Sequence, residues 1–383
     1  MKKLINYILI LSFIWCPLSI LAEDEINITK HATAAVMIEA TTGEVLYNKN
    51  ANERKSVASL TKMMSLILFL EFIESGGMTY DEIITVSENA KNIGGTQLWL
   101  DTGEQISVKD LLKGIVMASA NDATVVLAER VAGTEEAFVN QMNKKAKELG
   151  LKNTNFKNCM GFDEEGHYST AYDMALIAKE LINHEEIFDF SSVYESYIKE
   201  NTAEKTWIVN TNKLVRFYEG ADGLKTGWTD AAGSCIAATA KRNDLRLITI
   251  TLGYGDTTTR NAETMELLNY GFNQYKVNLL YKKGSIVGTT NLEKAQEKDI
   301  KLIASEDILI LQKKVEDEVK YKTEIKLNNV GFPIRKGDVL GIVYVKSGKD
   351  ILKKSNLVAE KDIEKVSIFN LYFNNLRNIL TGN

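Results

Sequence analysis

Ser59 and Lys62 stand three residues apart at the head of a strongly apolar run, Met63-Met64-Ser65-Leu66-Ile67-Leu68-Phe69-Leu70. On a helix that spacing puts both side chains on the same side. The positive end of the helix favours negative charge developing on the hydroxyl. Burial disfavours the charged form of lysine and leaves an amine able to act as a base. A serine hydroxyl is a weak nucleophile until such a base takes its proton, so the pair suits acyl transfer. A second hydroxyl and an amide follow in Ser119-Ala120-Asn121. The hydroxyl can relay a proton to a departing amine, and the amide can donate to and accept from a peptide bond. Lys225-Thr226-Gly227, inside Asp222–Asp230, aims a cation and a hydroxyl at a carboxylate. Its glycine lets a ligand approach the backbone closely.

Each pattern has a decoy. Ser196-Tyr197-Ile198-Lys199 repeats the first spacing, but the polar stretch Glu200–Lys205 follows it and cannot bury the lysine. Ser87-Glu88-Asn89 repeats the second in a polar setting that reads as a surface helix cap. Lys346-Ser347-Gly348 resembles the third, in a turn of a late β region. Taken alone, each motif is commonplace. Their order and the element each occupies make the joint signal specific.

These groups need a rigid frame. Thr33–Tyr47 reads as a β-hairpin around Thr41-Thr42-Gly43, and Cys235–Leu252 as a second around Lys241-Arg242-Asn243-Asp244. Between them helical patterns run over Ser59–Phe72, Val108–Val131 and Thr134–Leu149, the last stopped by Gly150; a further helix is expected over Glu263–Tyr275. Strands at both ends with helices between imply an α+β fold, an antiparallel sheet covered by a helical subdomain. From Lys276 short alternating runs recur between turn signals, as in a small all-β domain over residues 276–362. In residues 363–383, Val366, Phe369, Tyr372, Phe373, Leu376, Ile379 and Leu380 share one helical face, the pattern of an amphipathic membrane-anchor helix.

Residues 1–22 have the layout of a cleaved secretory signal, with basic Lys2 and Lys3, an apolar stretch from Leu4 to Ile14, and Ala22 before Glu23-Asp24-Glu25. Residues 23–275 are then the catalytic domain. The 383-residue chain has a formal net charge of −5; losing those two lysines and no acid takes it to −7. Such a protein has no electrostatic reason to bind nucleic acid. Only Cys159 and Cys235 remain after cleavage, so there is no disulfide framework, although one bond between them stays open. His31, His167 and His184 are dispersed without metal-ligand spacing, and no metal or other cofactor is implied.

With these residues in place, the chain resembles the penicillin-recognising serine enzymes, whose three motifs match Ser59-x-x-Lys62, Ser119-x-Asn121 and Lys225-Thr226-Gly227. Within that group it looks like the low-molecular-mass penicillin-binding proteins that act as serine-type D-alanyl-D-alanine carboxypeptidases. Ser56–Met64, Met117–Ala123, Asp222–Gly227 and Tyr168–Ala175 carry the closer match, and the resemblance extends over nearly the whole chain. It implies the β-lactamase/transpeptidase-like fold and removal of the terminal D-alanine from peptidoglycan stem peptides ending in D-Ala-D-Ala. It further implies covalent inhibition by β-lactams and a place at the outer face of the bacterial cytoplasmic membrane. Ser59 would be the acylated nucleophile, Lys62 its base, and Ser119 the proton relay held by Lys225. Asn121 would bind the substrate amide, and the backbone amides of Ser59 and Trp228 would form the oxyanion hole. Arg260, with Thr226, would hold the terminal carboxylate.

Two positions depart from the family pattern. Trp228 stands where many members carry histidine, and Met160-Gly161-Phe162 replaces a stretch that commonly begins with one. A class A β-lactamase is the nearest enzymatic rival, but its deacylating glutamate motif, E-x-x-L-N, is missing between the second and third motifs. Met265–Asn269 is out of place, after Lys225. A non-catalytic wall-binding protein of the same fold would be expected to lose Ser59 or Lys62, and both are present.

Overall fold

The computed structural model describes residues 27–316 and 319–366. The signal over residues 1–22 and residues 367–383 of the expected anchor helix lie outside the described residues. The chain opens with β1 (Ala34–Glu39) and β2 (Val45–Lys49). A 3₁₀ turn over Ala58–Thr61 runs into α1 (Lys62–Glu74). The helical region continues through β3 (Ile83–Thr85), α2 (Glu88–Lys91), β4 (Gln105–Ser107) and α3 (Val108–Lys113). A π-helical turn over Gly114–Ala118 precedes α4 (Asn121–Ala132), α5 (Glu135–Glu148), α6 (Ala171–Leu181) and α7 (Phe188–Ser191). The hairpin β5 (Glu195–Ile198) and β6 (Thr206–Val209) and the short α8 (Leu214–Phe217) lead back to the sheet. There β7 (Ala221–Thr229), β8 (Gly233–Arg242) and β9 (Leu245–Tyr254) are followed by α9 (Thr257–Gln274).

The main sheet is antiparallel in the order β2-β1-β9-β8-β7. Strand side chains alternate between faces, and here both faces are covered. Ala34, Val36 and Ile38 of β1, with Ile248, Ile250 and Leu252 of β9, pack into the core shared with the helical region. Ala35 and Met37, with Leu245 and Leu247, face the core built with α9. That double burial is why β1 reads as an unbroken apolar run.

Two helical expectations change. The pattern over Val108–Val131 is not one helix: it breaks at Ser119, whose backbone is left-handed (φ 64°) between the π turn and α4. The apolar residues run through the break because both halves pack into the same core, so the pattern could not reveal it. The last helix starts at Thr257, not Glu263, because Asp256 caps it by accepting the Thr259 amide at 2.8 Å. This puts Arg260 on the first turn of a helix.

The C-terminal region consists of β10 (Tyr275–Tyr281), β11 (Ile286–Thr290), β12 (Ile300–Ala304), β13 (Ile308–Lys313), β14 (Lys322–Leu327), β15 (Val339–Ser347) and β16 (Asp350–Ala359). They form a β11-β12-β16-β15-β14 sheet and a β10-β13 pair around their own apolar core. The strand β16 escaped sequence reading because Lys353-Lys354-Ser355-Asn356 interrupts its apolar pattern, although Ser355, Leu357 and Ala359 are buried on one face. Ile363 and Lys365, assigned from sequence to the terminal helix, are instead extended and bridge to Ile334 and Ala295. Ile363 is buried in the β-domain core, which ties this stretch to the sheet. Among the described residues, no helix is long and apolar enough to cross a membrane. Cys159 and Cys235 are both buried and both free, so the bond left open between them is not formed.

Candidate active site

Ser59 lies in the 3₁₀ turn that begins the apolar helix α1. The turn is held between two backbones. On one side β7 passes so closely that a Cβ added at Gly227 would sit 2.8 Å from the Ser59 nitrogen. On the other, a Cβ at Gly161 would sit 1.9 Å from the Ala58 carbonyl oxygen, and Gly161 has φ 96°. Only glycine allows either approach.

Lys62 is fully buried and donates three hydrogen bonds: to Ser59 Oγ at 2.9 Å, to Asn121 Oδ1 at 2.7 Å and to the Met160 carbonyl at 2.9 Å. Burial lowers its pKa from 10.5 to about 7, against the opposing pull of Cys159 and Asp122. A large share of the amine is therefore neutral near pH 7 and can accept a proton. The third contact uses the backbone of Met160-Gly161-Phe162, so the main chain of this departure from the family pattern is part of the site.

Asn121 is held at both ends, because its Nδ2 donates to the Gly94 carbonyl at 2.9 Å. Its neighbour Asp122 is fully buried and accepts the amides of Leu98 at 3.0 Å and Leu100 at 3.2 Å. One carboxylate thus fixes the loop whose Thr96 lines the cleft. Lys225 is buried, and desolvation, reinforced by Lys62 and Arg260, holds its pKa well below 10.5. Its Nζ donates to the Thr226 carbonyl at 3.1 Å; among the described hydrogen bonds it does not reach Ser119.

These elements enclose a cleft of about 440 Å³, whose walls include Ser59, Ser119, Thr226, Gly227, Trp228 and Arg260. Lys62, Asn121 and Lys225 stand immediately behind it through the bonds just described. Arg260 donates to Ser234 Oγ at 3.0 Å and to the Cys235 carbonyl at 3.1 Å, and burial lowers its pKa to about 10. All nine site residues named from sequence therefore meet in one place. The Ser196–Lys199 decoy lies on β5 and its end, with Lys199 paired to Glu104 and Glu204. Ser87 is the expected cap, accepting the Ala90 amide at 3.0 Å.

Sequence reading missed several contributors. Thr211 accepts from Thr226 Oγ1 at 2.8 Å, and Lys213 lines the cleft with no acidic partner among the described residues. Both belong to an aperiodic polar stretch that carries no motif. His167 is buried, accepts the Lys157 amide on Nδ1 at 3.2 Å and faces Thr61 Oγ1 from Nε2 at 2.9 Å. An imidazole that accepts on Nδ1 carries its proton on Nε2, so it donates to Thr61, the residue before Lys62. Desolvation lowers its pKa to about 4. Glu71, Glu180 and His184 bring possible metal-ligand atoms together, but Lys145 already pairs with both carboxylates.

The family model described as D-alanyl-D-alanine carboxypeptidase matches residues 21–256, and the C-terminal domain of penicillin-binding protein 5 matches residues 275–365. The chain is 46% identical over 340 residues to the D-alanyl-D-alanine carboxypeptidase DacF of Bacillus subtilis, covering 88% of this chain and 87% of that one. Penicillin-binding protein 5 from Haemophilus influenzae superposes with a TM-score of 0.70 at 30% identity, covering 87% of this chain and 98% of that one. Penicillin-binding protein D2 from Listeria monocytogenes, solved in an ampicillin-bound form, superposes with a TM-score of 0.58 at 33% identity over 63% of this chain and 98% of that one. The chain belongs to the D-alanyl-D-alanine carboxypeptidase family of penicillin-binding proteins, and is a serine hydrolase of cell-wall peptides.

Proposed function

We propose that Ser59 is the nucleophile, and that neutral Lys62 takes its proton as Oγ attacks the carbonyl of the penultimate D-alanine. The oxyanion that forms is stabilised by the amides of Ser59 and Trp228, where one such donor is typically worth about 10²–10³ in rate. Ser119 hands its proton to the amine of the departing D-alanine and is reprotonated by Lys62, which returns to the neutral amine; Lys225, when protonated, favours that relay electrostatically. The ester on Ser59 is then hydrolysed by water, whose proton returns Ser59 to its starting state. Arg260 and Thr226 hold the substrate carboxylate, with Lys213 adding positive potential in a cleft whose lining contains no acid. Gly227 serves the substrate by letting β7 lie against the Ser59 turn, which brings the amides of Ser59 and Trp228 to the same cleft. Asn121 orients Lys62 in the free enzyme and binds the substrate amide by exchanging its contact with Gly94.

The observation that carries this reading is the hydrogen bond from a fully buried Lys62 to Ser59 Oγ. Incubation with a pentapeptide ending in D-Ala-D-Ala should release free D-alanine. A fluorescent penicillin should label Ser59 covalently, and Ser59→Ala should lose both activities while keeping its fold. Labelling that persists in the variant would remove Ser59 from the mechanism. Inhibition rather than turnover of β-lactams is the corresponding expectation.

Export through residues 1–22 and attachment to the outer face of the cytoplasmic membrane through the last residues belong to the same proposal. The aromatic, amphipathic pattern of residues 366–380 supports it. Deleting residues after Lys365 should release active enzyme from membranes; unchanged association would count against the anchor.

A further inference from the structure

Strand β6 carries the wall of the catalytic cleft out onto the surface. Val209 lines the cleft, and Trp207, two residues earlier, shares its strand face. Across the hairpin Trp207 pairs directly with Tyr197 of β5. The opposite face, bearing Ile198 and Ile208, is buried against Met117 and Leu98, so the aromatic pair has only one way to point. Trp207 is 57% exposed and Tyr197 42%. A third ring stands on the neighbouring loop. Trp99 is 78% exposed and has a left-handed backbone (φ 62°). That conformation is costly for a bulky residue. The amides on either side of it are both bound by buried Asp122, and its neighbour Leu98 packs on the inner face of the hairpin.

Trp207 and Tyr197 thus present ring surface to solvent beside the cleft wall, beyond what the packed face of the hairpin requires. Their surroundings are polar: Glu195 shares their strand face, and the Lys205 ammonium stacks over one face of the Tyr197 ring, 4.1 Å from its centre, so that Trp207 offers the more open ring. A lipid surface or an apolar protein partner would leave these charges poorly solvated. Sugar rings suit them, with C–H faces lying on the aromatic rings and hydroxyls meeting the polar edge.

We propose that Trp207, Tyr197 and Trp99 form a glycan-binding shelf that holds the pyranose rings of the cell-wall polymer while its peptide occupies the cleft. This rests on the reading that the cleft processes peptides attached to that polymer. The shelf would favour intact wall over free peptide.

Full-length Trp207→Ala/Tyr197→Ala enzyme tests the idea against the wild type on a soluble pentapeptide, on insoluble pentapeptide-rich wall, and in retention by peptide-stripped glycan. Both changes are at exposed positions, and thermal melting checks that the fold is kept. D-alanine release from the wall is expected to fall on the order of tenfold, about 1.4 kcal/mol, with glycan retention lost and hydrolysis of the soluble peptide unchanged. Equal losses on wall and free peptide, or no loss on either, would overturn the shelf. Loss of binding to anionic lipid vesicles with glycan retention intact would also overturn it, in favour of a membrane contact. If wild type cannot hydrolyse the free peptide, the cleft assignment fails instead, whereas glycan retention still decides the shelf.

Discussion

Lys62 Nζ lies 2.7 Å from Asn121 Oδ1 and 2.9 Å from Ser59 Oγ, so one buried nitrogen joins two motifs that are 59 residues apart. A lysine with a pKa of about 7 must lose its proton before it can serve as base. The rate of acylation by penicillin is expected to rise with pH through about 7 and then level off. Stopped-flow acylation from pH 5.5 to 9 measures it; a rate independent of pH over that range would exclude Lys62 as the titrating base. Lys62→Arg, which keeps the charge but cannot lose it, should reduce acylation at least about 10²-fold.

Asp122 acts on the same lysine in two ways. Its charge favours protonated Lys62, so Asp122→Asn should move the acylation limb to lower pH. It also leaves the Leu98 and Leu100 amides without a full set of acceptors, at a cost of about 2 kcal/mol in stability. Chemical denaturation and the pH profile measure the two effects separately.

Gly161→Ala brings a methyl group against the Ala58 carbonyl and strains a backbone with φ 96°. The expected cost is at least about 1–2 kcal/mol, together with a lower acylation rate, because the Ser59 turn must shift. Thermal melting and penicillin labelling of the same sample detect both.

His167 should make the protein acid-sensitive. Its folded pKa of about 4 lies below the ordinary 6.5, so the unfolded chain binds the extra proton. Its contribution is present in full above pH 6.5 and is lost as pH falls toward 4. The window is worth up to about 3 kcal/mol. His167→Gln should flatten the loss of melting temperature between pH 7 and pH 4.5.

Arg260→Gln should weaken recognition of the free carboxylate. A rise in KM of about tenfold or more for the acid, with little change for the corresponding C-terminal amide, is the expected split. Equal effects on both substrates would place Arg260 in a packing role through Ser234 and Cys235.

The motif residues were legible because their chemistry is local. Ser59 and Lys62 are one helical turn apart, and the apolar run after them announces the burial that makes the lysine a base. The hairpins and the capped helix α5 were legible for the same reason, since alternation, turn residues and caps act over a few positions. The break at Ser119 and the early start of α9 were harder, because a continuing apolar pattern hid one and a polar first turn disguised the other. His167, Thr211 and the Asp122 clamp were beyond reading. Each works through a partner distant in sequence, and nothing in its own neighbourhood marks the meeting.

Sequence by itself determined which groups could react and the order in which they occur along the chain. Tertiary structure decided that they share one cleft with Lys62 buried behind it, through two glycines that let separate backbones close on Ser59. The physical reason is desolvation. An amine becomes a base at neutral pH only when long-range packing removes water from around it, and no short stretch of residues can supply that alone.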